Sequence, residues 1–302
     1  MRDKTIHHEK QSSGPTRRQL VSGMLAGAVA GCAGQARPTW MPPADAGGTG
    51  RHASDQVTLG QSGIRVSRLA MGSGTHGFNG TSDQTKMGIA GFSGLLAHGF
   101  NQGLNFFETA DQYGSHPHVA EAIRQVGRQN VVVLTKTSAE TATAVQADLD
   151  RFRKELGIDM IDIVLLHNKQ SATWTSECTG AMEVLGRAKE SGVIRAHGVS
   201  CHTLAALKLA ARTPWVDVDL ARVNPDGLIM DADPATVIGV LNEMKAAGKG
   251  VIGMKILGEG RLGNAIDRAI SHAVRLPAID AFTIGFTTPA QMDQVVQRIA
   301  AS

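Results

Sequence analysis

The feature that most constrains the fold is a regular alternation of short apolar runs with longer amphipathic runs, which continues from Gln56 to the end of the 302-residue chain. The short runs are rich in Val, Ile and Leu, and they predict buried strands at residues 69–71, 105–109, 131–135, 161–166, 194–200, 216–221, 250–255 and 281–284. The longer runs carry apolar residues at i, i+3 and i+4 spacing, and they predict helices at residues 85–102, 117–125, 142–156, 176–191, 203–211, 233–247, 261–273 and 289–300. Strands that alternate with helices in this way typically form a parallel sheet.

Eight strand–helix units predict a (β/α)8 barrel, the TIM barrel, since that α/β fold repeats about every 30 residues. Residues 56–60 and 63–66 predict a β-hairpin that plugs one end of the barrel. A doubly wound open sheet is the alternative fold. It needs a glycine-rich phosphate turn after its first strand, and residues 72–77 (Gly-Ser-Gly-Thr-His-Gly) match that pattern only in part.

The first 31 residues have the layout of an export signal rather than of a folded domain. The pair Arg17-Arg18 precedes an apolar run that is too short to span a bilayer as a helix, and this layout resembles a twin-arginine signal. The run ends in Val-Ala-Gly-Cys, which resembles a lipobox with lipid attached at Cys32. We therefore expect a signal peptide at 1–31, a lipidated cysteine with a flexible tether at 32–55, and the folded domain at 56–302. An ordinary secretion signal with an unmodified Cys32 is the alternative.

The net charge of +3 comes from the amino terminus, because residues 1–31 hold five Lys and Arg against two Asp and Glu. The rest of the chain is neutral, so nucleic-acid binding has no electrostatic support. The cysteines, Cys32, Cys178 and Cys201, are too few and too scattered for a disulfide framework or a zinc cluster. We assign no metal site.

Ionisable residues follow the predicted strands at their carboxyl ends, where barrels of this type carry their active sites. Glu108 and Tyr113 follow the second strand, Lys136 follows the third and His167 follows the fourth. A lysine ammonium stabilises a phenolate and so lowers the pKa of the phenol, while a carboxylate holds the lysine in place. An imidazole can donate a hydrogen bond to a carbonyl oxygen and polarise it. Together the four residues predict a proton-transfer site for a carbonyl group.

Several stretches resemble the aldo-keto reductase superfamily, namely residues 106–114 (Phe-Phe-Glu-Thr-Ala-Asp-Gln-Tyr-Gly), 134–136 (Leu-Thr-Lys), 165–167 (Leu-Leu-His) and 284–289 (Ile-Gly-Phe-Thr-Thr-Pro). The resemblance covers nearly the whole predicted domain. It implies a barrel that binds NADP or NAD in extended form and passes hydride to a carbonyl carbon. It further implies that Tyr113 is the proton donor, that Lys136 tunes it, that Glu108 pairs with the lysine and that His167 orients the carbonyl.

The resemblance also implies which residues hold the cofactor: a serine after the fifth strand binds the nicotinamide amide, and a loop after the seventh runs along the pyrophosphate. The expected cofactor-binding residues are Gly74, Thr75, Ser200, Cys201, Lys255, Leu257, Gly258, Gly260, Thr287 and Gln291. Arg222 and Asn224 lie on the same rim and are candidates for substrate binding. A structural salt bridge is the alternative role for that pair.

The chain departs from the family pattern at four points. Glu108 stands where the family has aspartate, and Cys201 stands where it usually has asparagine. The arginine expected near Gln291 for a 2′-phosphate is absent, which weakens the preference for NADP over NAD. The sequence stops directly after the eighth helix, so we expect an open pocket and a substrate larger than a simple aldehyde.

The leading hypothesis is an oxidoreductase exported by the twin-arginine machinery and anchored by lipid on the periplasmic side of a membrane. Free nicotinamide cofactor is scarce there, so we expect a tightly held cofactor that is regenerated in place. The expected substrate is a small-molecule carbonyl compound or a sugar. A second hypothesis is a redox-inactive barrel that binds a carbonyl or sugar ligand. A third is a cytoplasmic reductase without an export signal.

Overall fold

The computed structural model describes residues 51–302, and it confirms the predicted barrel. A two-stranded antiparallel pair comes first, β1 (Gln56–Thr58) and β2 (Arg65–Ser67). The eight parallel barrel strands are β3 (Leu69–Gly72), β4 (Phe106–Glu108), β5 (Val132–Thr137), β6 (Ile161–Lys169), β7 (Ile194–Cys201), β8 (Val218–Arg222), β9 (Gly250–Met254) and β10 (Ala281–Gly285). They pair in chain order, and β10 closes the sheet against β3.

The helices pack outside the barrel and follow the predicted order. They are α1 (Gly88–Asn101), α2 (His116–Val126), α3 (Ala142–Leu156), α4 (Trp174–Glu177), α5 (Thr179–Glu190), α6 (Leu204–Arg212), α7 (Pro234–Ala246), α8 (Ile266–Arg275) and α9 (Pro289–Ala300). The helix predicted at 176–191 is two helices in the structure, because Cys178 leaves the helical region of backbone space. The helix predicted from residue 261 begins at Ile266, because short 3-10 turns occupy residues 258–260 and 263–265.

Several of these helices begin at a side chain that caps the first turn. Thr141, Thr203, Asp233 and Thr288 each accept a hydrogen bond from the backbone N–H three residues later. Such a cap contributes about 1 kcal/mol, and it fixes the residue at which the chain turns from the strand end into the helix. The caps therefore help to hold the loops at the carboxyl end of the barrel.

Two buried layers follow from the alternation of side chains along each strand. The inner layer fills the barrel and consists of Ala70, Phe106, Val132, Leu134, Ile163, Leu165, Ala196, Val218, Leu220, Ile252, Met254 and Ala281 together with plug residues Leu59, Ile64 and Val66. The outer layer lies between strands and helices and includes Phe92, Phe107, Phe152 and Trp174. Because the interior is filled, the barrel is a packed core rather than a channel.

The β1–β2 hairpin closes the amino end of the barrel, as predicted. The Gln61 backbone N–H donates to the Gly248 carbonyl at 2.7 Å, directly before β9. Residues 51–55 also contact the barrel: Ala53 is buried, and its carbonyl accepts a hydrogen bond from the Leu69 backbone at 3.0 Å. Residues 51–55 therefore pack against the barrel, and the hairpin covers its amino end, opposite the carboxyl ends of the strands.

The predicted export signal, Cys32 and most of the tether lie outside the described residues. Within residues 51–302, no helix has both the length and the apolar character needed to cross a membrane.

Candidate active site

Four predicted residues come together at the carboxyl end of the barrel. Glu108 ends β4, Lys136 lies in β5 and His167 lies in β6, while Tyr113 ends a short 3-10 turn after β4. Adjacent parallel strands bring their carboxyl ends to the same rim, which explains why residues far apart in sequence meet here. We refer to Glu108, Tyr113, Lys136 and His167 as the rim cluster.

The centre of the rim cluster is a buried ion pair. The Lys136 ammonium donates to Glu108 Oε1 and, at 2.8 Å, to the Thr109 carbonyl. The side chains of Lys136 and Glu108 are only 1% and 6% exposed. Burial lowers the pKa of Lys136, and the Glu108 charge opposes that effect. Removing either partner would leave an uncompensated charge in the barrel, which is strongly destabilising.

The longer side chain of Glu108 fits because Gly72 leaves space for it. A Cβ added at Gly72 would lie 3.1 Å from Glu108 Oε2 and 2.8 Å from Thr283 Oγ1. The Thr283 hydroxyl donates to Glu108 Oε2 at 3.2 Å. The carboxylate therefore bridges β5 and β10, with one oxygen on the lysine and the other on the threonine.

Tyr113 has its ring edge-on to His167, with ring centroids 5.7 Å apart, and the Lys136 ammonium lies 4.9 Å from its centroid. Among residues 51–302, no group forms a hydrogen bond with its hydroxyl. Burial and the nearby Glu108 charge raise the pKa of Tyr113 well above its ordinary value. The sequence predicts that Lys136 lowers this pKa, but in this arrangement burial and the Glu108 charge set the net direction of the shift, which is upward.

His167 is a neutral imidazole. Burial, followed by the positive charges of Lys136 and its neighbours, lowers its pKa to about 2. Its Nδ1 is buried and has no hydrogen-bond partner within residues 51–302. A neutral imidazole carries one N–H, which can donate to a carbonyl oxygen held beside Tyr113. The cluster thus offers two neutral donors, a phenol and an imidazole, above a buried ion pair.

Part of the predicted cofactor set lies close to this cluster. The Ser200 hydroxyl accepts a hydrogen bond from the Asn168 backbone at 3.1 Å, one residue after His167. The Lys255 ammonium pairs with Glu259 at 2.5 Å, and its charge acts on Lys136 and His167. Lys255 and Glu259 both have left-handed backbone, which is strained for residues with side chains and is common at functional sites. Leu257, Gly258 and Gly260 shape the turn between them.

Other predicted cofactor residues form a second group between β10 and the loop after β3. Thr75 is held by Gln84, whose side-chain amide accepts from the Thr75 backbone at 2.9 Å and donates to the Phe286 carbonyl at 3.2 Å. Gln291 caps α9, and its side-chain oxygen accepts from the Thr287 backbone at 2.9 Å. These contacts join the two loops that border this side of the mouth.

Three predicted residues lie apart from the mouth or are engaged by their neighbours. Cys201 packs in the outer layer, with its sulfur 3.9 Å from a buried Asp219 oxygen. Arg222 pairs with Asp231 and donates to the His202 carbonyl at 2.8 Å. The Asn224 side chain is buried, donates to the Leu228 and Lys255 carbonyls, and accepts from two backbone amides. These contacts stabilise the loops after β7 and β8, and the ligand-binding roles of the three residues stay predictions.

Sequence reasoning missed several residues that shape the mouth. Gln84 lies in a loop with no repeating pattern, so its contacts with distant loops left no sequence signal. Thr283 lies in the middle of β10, and the signal that could have revealed it is that it is the one hydroxyl side chain in an otherwise apolar strand. Gly77 belongs to residues 72–77, which match a phosphate-binding turn only in part, and the packing of Gly77 against Tyr113 has no local sequence signal.

Comparison with known proteins identifies the class of protein. Residues 70–300 match the Aldo/keto reductase family model, so the chain belongs to that family. The curated protein "Probable aldo-keto reductase 1" from Glycine max is 25% identical over 178 residues, which are 51% of this chain and 50% of that protein. The match therefore spans about half the length of that relative.

Solved structures agree on the fold. Two structures described as an aldo-keto reductase from Pseudomonas aeruginosa are each 21% identical to this chain. The first has a TM-score of 0.69 and covers 83% of this chain and 96% of its own. The second has a TM-score of 0.70 and covers 84% of this chain and 97% of its own. An aldo-keto reductase from Bacillus halodurans in its holo form has a TM-score of 0.64 at 19% identity, covering 82% of this chain and 91% of that one. At these identities the likeness establishes the barrel architecture.

Proposed function

We propose that this protein is an oxidoreductase that transfers hydride between a nicotinamide cofactor and a carbonyl or alcohol substrate. The observation that carries the proposal is the rim cluster, in which Tyr113 and the neutral His167 lie beside the buried Glu108–Lys136 pair, and in which the Tyr113 hydroxyl has no hydrogen-bond partner in the part of the chain that the structure describes. Membership of the Aldo/keto reductase family supports the same chemistry.

In the reductive direction, Tyr113 gives its proton to the carbonyl oxygen as that oxygen gains negative charge. His167 donates a hydrogen bond to the same oxygen and fixes the face of the carbonyl that points into the mouth. Lys136 supplies positive charge beneath the phenol, and Glu108 holds that charge in place. When bound, the nicotinamide supplies the hydride that reduces the carbonyl carbon. The raised pKa of Tyr113 keeps the phenol protonated at neutral pH until the oxygen becomes basic.

The residues at the mouth fit a dinucleotide. Lys255 lies beside a turn with strained backbone and provides a cation for a pyrophosphate. Its present partner is the Glu259 carboxylate, so the Lys255–Glu259 ion pair must break when the phosphates bind. Ser200 and Asn168 offer polar groups next to His167 for the nicotinamide amide. Near Gln291 no arginine is available for a 2′-phosphate, so NAD is retained beside NADP as a candidate.

The test is to assay the purified chain with NADH and NADPH against a panel of aldehydes, ketones and sugars. We expect consumption of one nucleotide that depends on the carbonyl, and we expect Tyr113→Phe to abolish it. Wild-type chain that binds neither nucleotide would overturn the proposal.

We further propose that the enzyme is exported by the twin-arginine route, anchored through lipid on Cys32, and holds its cofactor tightly. The Arg17-Arg18 pair and the Val-Ala-Gly-Cys sequence support this localisation. Cys32→Ser should release the chain from the membrane fraction, and replacing both arginines with lysine should retain it in the cytoplasm. A folded, nucleotide-loaded chain recovered from the exported fraction would support tight binding. Soluble, uncleaved wild-type chain would contradict the localisation.

A redox-inactive barrel that binds a carbonyl or sugar ligand is the second candidate. The observations that favour it are the ion pair that engages Lys136 with Glu108 and the raised pKa of Tyr113, which burial and the nearby Glu108 charge cause. This candidate predicts ligand binding without nucleotide, and a Tyr113→Phe variant that binds as tightly as the wild type. Loss of turnover in that variant would exclude it.

A further inference from the structure

The loop that follows β3 lies directly against the Tyr113 ring. A Cβ added at Gly74 would lie 2.2 Å from Tyr113 Cε2 and 2.3 Å from Cζ. A Cβ added at Gly77 would lie 2.4 Å from Cδ1 of the same ring. These separations are far below van der Waals contact, so the ring occupies the space that any side chain at either position would need.

The same loop also holds the turn that carries Tyr113. The Gly80 backbone N–H donates to the Gln112 carbonyl at 2.9 Å. Gly114, directly after the tyrosine, has a φ of 65°, and a Cβ there would lie 2.1 Å from the Gly80 carbonyl oxygen. The Gly77 N–H donates to the Gly74 carbonyl at 3.0 Å, which closes the loop on itself beneath the ring. Backbone groups of residues 74–80 therefore contact both the ring and its turn.

We propose that Gly74 and Gly77 are positioning residues for Tyr113: their bare backbones form the surface that fixes the phenol over Lys136 and beside His167. This role differs from the cofactor-binding role expected for Gly74 from the sequence, because the atoms that occupy its Cβ space belong to the tyrosine. The catalytic meaning rests on the proposed function, whereas the placement of the ring does not.

The chain permits a direct test because Tyr113 is its only tyrosine. Tyrosinate absorbance therefore reports the ionisation of this one phenol, without any need for turnover. The test compares wild type with Gly74→Ala and Gly77→Ala. Gly94→Ala is the matched control, since Gly94 is exposed on α1 and a Cβ there meets nothing within 4 Å.

We expect Tyr113 to resist ionisation in wild type and in the control, and to titrate at least about one pH unit lower in both variants, because a displaced ring loses the burial that keeps it protonated. Circular dichroism at each pH ensures that the chain is still folded. In turnover assays, kcat should fall at least about tenfold in both variants, and KM for the nucleotide should change less than kcat.

Unchanged Tyr113 titration in both folded variants would overturn the proposal. If, in addition, kcat is unchanged and only nucleotide binding is weakened, Gly74 serves the cofactor rather than the tyrosine. If Gly74→Ala does not fold, the comparison of Gly77→Ala with wild type decides the question. If neither variant folds while Gly94→Ala does, the two glycines are needed for folding, and a role confined to positioning Tyr113 is excluded. A wild-type chain that lacks turnover would end the proposed function, yet the titration would still test the position of the ring.

Discussion

Two polar clusters in this barrel each contain a carboxylate, a histidine and a basic side chain, but they differ in how many of their polar groups have hydrogen-bond partners. The rim cluster, Glu108, Tyr113, Lys136 and His167, opens to the mouth. The outer cluster lies between β5, α2 and α3 and consists of Asp111, His116, Thr135, Arg151 and Glu155. In the outer cluster His116 Nδ1 lies 2.7 Å from Glu155 Oε2, and its Nε2 lies 2.8 Å from Thr135 Oγ1.

The difference lies in the unpartnered groups. Arg151 donates to Asp111 at 2.7 Å and to Glu155 at 3.1 Å, so both carboxylates of the outer cluster are compensated. Three potential metal-ligand atoms of Asp111, His116 and Glu155 lie within 4.8 Å of one another, but the hydrogen bonds and Arg151 already account for that grouping. Among the described residues 51–302, the Tyr113 hydroxyl and His167 Nδ1 of the rim cluster have no hydrogen-bond partner. Buried polar groups are normally satisfied, so unpartnered groups at the mouth of the barrel are candidates for bonding a ligand.

The largest effect should come from Tyr113→Phe, which removes the rim cluster's proton donor and leaves its ring. We expect kcat to fall by about 10²–10⁴-fold, the usual contribution of a positioned general acid. Nucleotide affinity should change little, because the ring remains in place. Steady-state kinetics measures kcat, and a nucleotide titration measures the affinity. Activity within a factor of a few of wild type would show that the phenol is not the donor.

Removing one carboxylate from each cluster should sharpen the comparison. Glu108→Gln leaves Lys136 buried without its counter-charge, and we expect the free energy of unfolding to fall by about 3–5 kcal/mol. Glu155→Gln should cost about 1 kcal/mol, because the Glu155 carboxylate is 32% exposed and its partner Arg151 is 42% exposed. Denaturant unfolding of both variants measures the difference. Equal losses of unfolding free energy in the two variants would contradict the distinction between a buried and a partly exposed ion pair.

His167 should make stability depend on pH in a defined direction. Its pKa is about 2 in the folded chain and about 6.5 when unfolded, so below pH 6.5 the unfolded chain gains a proton that the folded chain does not. The free energy of unfolding should therefore fall on acidification, by up to about 1.4 kcal/mol per pH unit. Between pH 7 and pH 5, wild type should lose about 2 kcal/mol more than His167→Gln. Parallel losses in the two proteins would show that His167 is not kept neutral by burial.

The smallest effect should come from Thr135→Val in the outer cluster. It removes the hydroxyl that bonds His116 Nε2, and the free energy of unfolding should fall by about 1 kcal/mol. We expect kcat and KM to stay at wild-type values, since Thr135 points away from the mouth. A large loss of activity would mean that the two clusters are coupled across β5.

The fold and the central residues could be predicted because both depend on short-range patterns. Apolar periodicity locates the strands, and residues directly after strands share one rim in a barrel, which is how Lys136 and His167 were found. The alternation rule also carried information that was not used: Ser200 and Cys201 are adjacent in a strand, so they point to opposite faces. Only Ser200 lies beside His167, and Cys201 packs among the helices.

What could not be predicted depends on contacts between distant loops. The bond from Thr283 to Glu108 joins the last barrel strand to the second, and no local pattern encodes it. The contact between Gly74 and Tyr113 has no local sequence signal, and the sequence predicts the same glycine only as a cofactor-binding residue. The raised pKa of Tyr113 could not be predicted from the sequence either, because it depends on burial and on the nearby Glu108 charge, and both follow from the three-dimensional arrangement.

The most direct test of the central claim is to follow nicotinamide absorbance when the purified chain meets a carbonyl panel, with wild type and Tyr113→Phe side by side. If the rim cluster is a hydride-transfer site, wild type consumes NADH or NADPH in proportion to the carbonyl reduced, and the variant binds the nucleotide without consuming it. Equal consumption by the two proteins, or no nucleotide binding by wild type, would contradict that assignment.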